Sequence, residues 1–127
     1  MIVKKMIALG GMLLLGIAAG PARAEVDAEA AQALAKRIKT IDGLVPGSLA
    51  LEWNQKKLQP PKDTTDVVAV IKGVIKAEEA AIAQYNKIIK LCDGVDYVTQ
   101  DMVIGILGGE EDHRREFVGF LKEYEKD

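Results

Sequence analysis

Residues 105–117 read GILGGEEDHRREF and hold the only histidine of the chain, His113, three places after Glu110. Outward from that pair, the apolar residues fall at Met102, Val103, Ile106, Phe117, Phe120, Leu121 and Tyr124. Steps of three and four set them on one face of a helix, and positions 110 and 113 lie on the same face. The stretch therefore predicts a long amphipathic helix, capped by Asp96 or Thr99 and reaching at least Lys122, whose inward stripe admits a carboxylate and an imidazole.

The segment before it repeats the pattern. Thr64, Thr65 and Asp66 are good N-cap residues, and the inward series runs Ile71, Val74, Ile75, Ala81, Ile82, Tyr85, Ile88, Ile89 and Cys92. Glu78 interrupts that series at its middle, and Asp93-Gly94 ends it. Each of the two helices holds about seven turns, roughly 40 Å. Upstream, EVDAEAAQALAKRIKTI (25–41) is rich in strong helix formers and is stopped by Asp42-Gly43, which gives a third helix of about four turns. Residues 44–64 carry Pro46, Gly47, Pro60 and Pro61 and have no sustained period, although 48–58 fits a short helical piece in which Trp53 clamps the connection to the bundle. A link that long can run the length of a bundle, so the helices it joins are expected to be parallel neighbours. Strand alternation is absent from the sequence, and the class is all-α.

Glu78, Glu110 and His113 fall inside the stripes, whereas Glu79, Glu111, Asp112, Arg114 and Arg115 fall on the solvated side. An isolated ionised carboxylate in a bundle interior costs several kcal/mol, so it takes up a proton or finds a cation. Two glutamates with a neutral imidazole make a poor internal salt bridge and a good cage for a divalent cation such as iron, manganese or zinc. Glu110 and His113, at i and i+3, project side by side. The competing reading keeps Glu78 at an exposed rim and His113 as a hydrogen-bonded core imidazole. Gly108 and Gly109 each cost about 1 kcal/mol inside a helix relative to alanine; a close helix approach, a local bulge at a metal site, or a drifting, partly degenerate copy of the motif would each account for them.

At 127 residues, about half of them apolar and with a net charge of -2, the chain suits one small domain around one core. No lysine or arginine run supports a nucleic-acid partner. The single cysteine, Cys92, excludes an internal disulfide and a cysteine-based zinc site, and reads as a small buried hydrophobe. Lys4 and Lys5 precede an uncharged run, MIALGGMLLLGIAAG (6–20), and Ala22 and Ala24 follow. That is the layout of a secretory signal peptide, and the run is shorter than the about 20 residues of a spanning helix. Residues 1–24 are thus a signal peptide or an apolar N-terminal helix, and 25–127 the folded domain. Cleavage after Ala24 gives an exported, periplasmic protein with a more acidic balance. The alternative is a cytoplasmic or membrane-anchored chain, with a membrane contact only if residues 6–20 are retained.

The stretch from Asp66 to Lys122 resembles the last two bundle helices of ferritin-like proteins, most closely the bacterioferritins. DYVTQDM (96–102) leading into ILGGEEDH (106–113) is similar to the start of the family's fourth helix and its Glu-x-x-His pair, and AEEAAI (77–82) to its third-helix glutamate. LAKRIKTIDGLVPG (34–47) is similar to the end of the second helix and the start of the crossover. The resemblance covers residues 27–122. It implies a ferritin-like bundle lacking its first helix, with a long crossover, and a metal site of Glu78, bridging, with Glu110 and His113. In that family two such glutamates and two Glu-x-x-His pairs hold a di-iron centre. Here Asp27 and Ala30 stand where the second helix offers its pair, and Ala28 stands near the place of the haem-ligating methionine, so no haem is expected.

Half a site is present. Either two chains pair as a homo-oligomer and restore the di-iron set across a twofold axis, or the protein is a non-catalytic helical interaction module with a degenerate metal site, or segment 6–20 folds back as a substitute first helix without a ligand. The resemblance implies an iron-binding protein with ferroxidase activity and a role in iron storage or detoxification if the chains pair.

Overall fold

The structure is a computed structural model that describes residues 21–45, 61–63 and 65–126, with side chains of the first helix described from Glu29 onward. Within them the chain forms three helices, α1 (Pro21–Thr40), α2 (Val67–Cys92) and α3 (Tyr97–Tyr124), and no strand. The expectations for residues 1–20, for a helical piece at 48–58 and for Trp53 lie outside the described residues. Among the described residues no helix is long and apolar enough to cross a membrane.

The capping chemistry follows the sequence. Asp66 accepts from the Ala69 amide at 2.9 Å and opens α2, and Asp96 accepts from the Thr99 amide at 3.0 Å and opens α3. Helix α1 is described from Pro21, so helical backbone is present upstream of the expected start at Glu25. At its other end Asp42 adopts a left-handed φ of 59°. The Gly43 amide then reaches back to Ile38 O at 2.7 Å, and the Asp42 amide to Lys39 O at 3.1 Å. This pair of bonds closes the orphan carbonyls of the last turn. Gly43 is required there, since a Cβ would sit 2.7 Å from Ile38 Cγ2 and 2.9 Å from Ile38 O.

Helices α2 and α3 form an antiparallel hairpin. Lys72 pairs with Glu125 at 2.8 Å near one end, and Gln100 Nε2 donates to Ile89 O at 3.1 Å near the other. The core gathers Ala81, Tyr85, Ile88 and Cys92 of α2, Val103 of α3, and Leu34 and Ile38 of α1. Each of the larger aliphatic side chains contributes about 1.5–3 kcal/mol by leaving water. Burial and the nearby Asp96 carboxylate push the Cys92 thiol up, which keeps it protonated and inert.

A polar clamp fixes α1 at this end. Arg37 Nη2 donates to Asp96 Oδ1 at 2.7 Å and Arg37 Nε to Thr99 Oγ1 at 2.8 Å, while the fully buried Thr99 hydroxyl donates to Asp96 Oδ2. The last turn of α1 therefore meets the α2–α3 turn, as expected of two parallel neighbours joined by a crossover. Burial alone would raise the Asp96 carboxyl, but the hydrogen bonds from Thr99 and Arg37 and the guanidinium charge outweigh it and hold the group below the usual carboxylate range.

Two details differ from the sequence pattern. Phe120 and Tyr124, on the inward stripe, are about half exposed, because no described side chain covers that end of the hairpin. Gly108 and Gly109 show neither a close approach nor a bulge: a Cβ at either would meet no atom within 4 Å, and the helix is continuous.

Asp96→Ala removes a cap and the partner of a half-buried guanidinium, and is expected to cost about 2–3 kcal/mol in urea melts. Because the folded-state Asp96 carboxyl is depressed, its contribution is present above the unfolded carboxylate range of about 4 and is lost as pH falls through the folded value. Wild-type stability should fall over that acid window, and Asp96→Asn should flatten the fall. At the adjacent helix end, Asp42→Gly should stabilise by about 0.5–1 kcal/mol and Gly43→Ala should destabilise, opposite signs readable in the same melts.

Candidate metal centre

Glu78 stands midway along α2 and Glu110 midway along α3, where the two stripes face one another. Both are buried, at 0% and 3% exposure. His113, one turn beyond Glu110, is 19% exposed and lies at the edge of the seam. One ligand atom from each of the three residues lies within 4.8 Å of the others, and this is the cluster of its kind found among the described residues. The three residues expected from the sequence are thus brought together, and no other His, Cys, Asp or Glu among the described residues joins them.

The geometry separates the two readings of His113. Its Nδ1 is buried and has no hydrogen-bond partner; the nearest carboxylate oxygen, Glu110 Oε2, stands 3.5 Å away. That is beyond hydrogen-bond reach for a ring nitrogen. A core imidazole retained for packing would be satisfied; a ring nitrogen of His113 instead lies within 4.8 Å of a carboxylate oxygen of each glutamate. Glu78 is likewise no rim residue.

Two carboxylates this close and this dry repel each other, and the arrangement is relieved by a proton or a cation. Donor atoms bound to one first-row cation at about 2.1 Å lie no more than about 4.2 Å apart. The observed spacing of up to 4.8 Å is close to that limit. Two hard oxygens and one imidazole nitrogen suit iron, manganese or zinc over calcium or a soft metal. The residues present fit a ferrous ion among these cations.

The neighbours are held apart from this chemistry. Glu79 and Arg114 pair across the helices at 3.1 Å in the exposed layer. With Ile82, Ala83 and Glu111 they line an open groove of about 460 Å³. Arg114 neutralises Glu79, so the groove is a solvated charged flank. Asp112 and Arg115 pair along the same helix, fully in solvent. Tyr85, on the same stripe as Glu78, is completely buried and belongs to the main core.

Residues 22–126 match the family profile of the ferritin-like domain. No curated protein and no solved structure matches the chain. A match over nearly the whole sequence, onto helices that bury these donors between them, makes this protein a member of the ferritin-like domain family.

Proposed function

We propose that the chain binds ferrous iron at Glu78, Glu110 and His113 and serves iron oxidation, storage or detoxification. The observation that carries this reading is a pair of buried carboxylates with a buried, hydrogen-bond-free imidazole nitrogen, all within 4.8 Å. Family membership supports it, since iron is what such bundles hold. Iron here is substrate and cargo. Glu78 and Glu110 supply hard oxygen donors from opposite helices, and His113 supplies Nδ1. The surrounding helices exclude bulk water and so strengthen the attraction for a cation. The flank of Glu79, Glu111 and Arg114 stays outside the donor set.

Anaerobic titration of the protein with ferrous iron, followed by isothermal calorimetry, should show saturable binding. Admitting air should then bring up the ferric charge-transfer absorbance. His113→Ala should abolish binding, whereas Arg114→Ala, one residue on and in solvent, should leave it intact; equal effects of the two would refute the site. Absence of binding in the wild type would favour a non-catalytic interaction module with a degenerate site.

Stability gives a second test that needs no iron. Glu78→Gln replaces one of two neighbouring buried carboxyl groups by a neutral amide, so the metal-free variant should be at least as stable as the wild type. Scanning calorimetry should show a melting temperature for that variant no lower than that of the wild type, and no further rise on adding iron.

A further inference from the structure

We propose that the apolar run 6–20 stays in the folded protein and packs along the hairpin as the continuation of α1, over Val70, Phe120 and Tyr124. The ground is the place where α1 leaves off covering the hairpin. Leu34 and Ile38 of α1 share one core with Ala81 and Ile88 of α2, and Met102 and Ile106 of α3 pack against that core. The same two faces run on toward the start of α2 and the end of α3. Val70 stands about three turns before Ala81, and Phe120 and Tyr124 stand about five turns beyond Met102 and Ile106. Helical spacing therefore sets these three on the side of the hairpin that α1 covers, yet they are 44–55% exposed.

Length and direction select the occupant. Arg37 bonds Thr99 and Asp96 at the start of α3, and α1 extends back along the hairpin from there, with Ala30 still against the core. From Arg37 to Pro21 is about 24 Å of helix, which brings Pro21 level with the residues just after His113. The chain immediately upstream is the uncharged run MIALGGMLLLGIAAG (6–20). In helical form it spans about 22 Å, whereas the rest of α3 to Tyr124 is about 15 Å, so the run reaches the end of the hairpin. Its Met6, Leu9, Leu13 and Ile17 recur at steps of three and four, a stripe suited to an apolar face.

Charge agrees with that direction. Lys4 and Lys5, just before the run, arrive at the last turn of α3. Exposed Glu123 stands there, together with the carbonyl end of the helix, and both favour a cation. Lys122 and Lys126 of the same end are exposed, and their long stems let the ammonium groups turn to water. Phe117 and Phe120 meet edge to face with ring centroids 5.6 Å apart and give the run a fixed aromatic surface to lie on. The run is too short to span a bilayer, so burial against the hairpin is what removes it from water.

The test is made on the full chain. Leu13→Cys combined with Phe120→Cys should be joined within one chain by a short bismaleimide. Leu13→Cys combined with Ile104→Cys, exposed toward the opposite end of α3, should not; Cys92 is buried and does not compete. Equal yields from the two pairs, or a product of two chains only, would overturn the packing. Mass spectrometry of the protein isolated from its own cells should find residues 6–20 present, and a mature chain that begins at Glu25 would end the proposal outright. Co-sedimentation of the full chain with lipid vesicles, with loss of the cross-link, would refute it in favour of a membrane-held segment.

Discussion

The structure turns on two carboxyl groups buried close together in the seam between α2 and α3. Glu78 and Glu110 occupy the positions where α2 and α3 would otherwise press apolar side chains together, and both are almost wholly removed from water. Two leucines at these positions would serve a bundle better, because the apolar stripe runs on either side of them: Val74, Ile75 and Ala81 along α2, Val103 and Ile106 along α3. The proposed cation between them gives a reason for glutamates at these positions. Binding then couples to stability, because the ligand acts on the native state alone.

The molecule divides its labour between two kinds of attachment. The α2–α3 hairpin is held along its length by interdigitating stripes, and its caps, Asp66 and Asp96, are local. Helix α1 joins through a shorter apolar contact centred on Leu34 and Ile38, and through the Arg37 clamp. Asp96 serves both purposes, since its oxygens cap α3 and receive Arg37. A planar guanidinium with a carboxylate and a hydroxyl fixes orientation as well as position, which an apolar contact of two or three residues does not.

Much of this was legible in the sequence because the signals were periodic. The spacing from Ile71 to Cys92 and from Val103 to Leu121 sets the faces of α2 and α3, and the only polar intruders on those faces are the residues that meet in space. The Asp-Gly stop after α1 and the Asp caps are local chemistry, readable from a few residues. What was not legible depended on neighbours distant in sequence. Nothing around Arg37 signals that it will seek Asp96, some sixty positions on. The half-exposure of Phe120 and Tyr124 is also invisible to periodicity, which tells which side of a helix is apolar and not whether anything lies against it. The paired glycines 108 and 109 suggested crowding, and the structure shows open space there; nothing in the described residues explains them.

The same division bears on how robust the candidate centre is. All three donors belong to two helices that are consecutive in the chain, antiparallel and joined by a turn of only a few residues, so the contacts that assemble them are short-range and form cooperatively with the hairpin. The Arg37 clamp lies at the α2–α3 turn, at the far end of the hairpin from Phe120 and Tyr124. An acid-induced loss of the Asp96 contact therefore acts first on the attachment of α1 at that turn. The three donors are held on α2 and α3, while Arg37 acts on the turn that joins those helices.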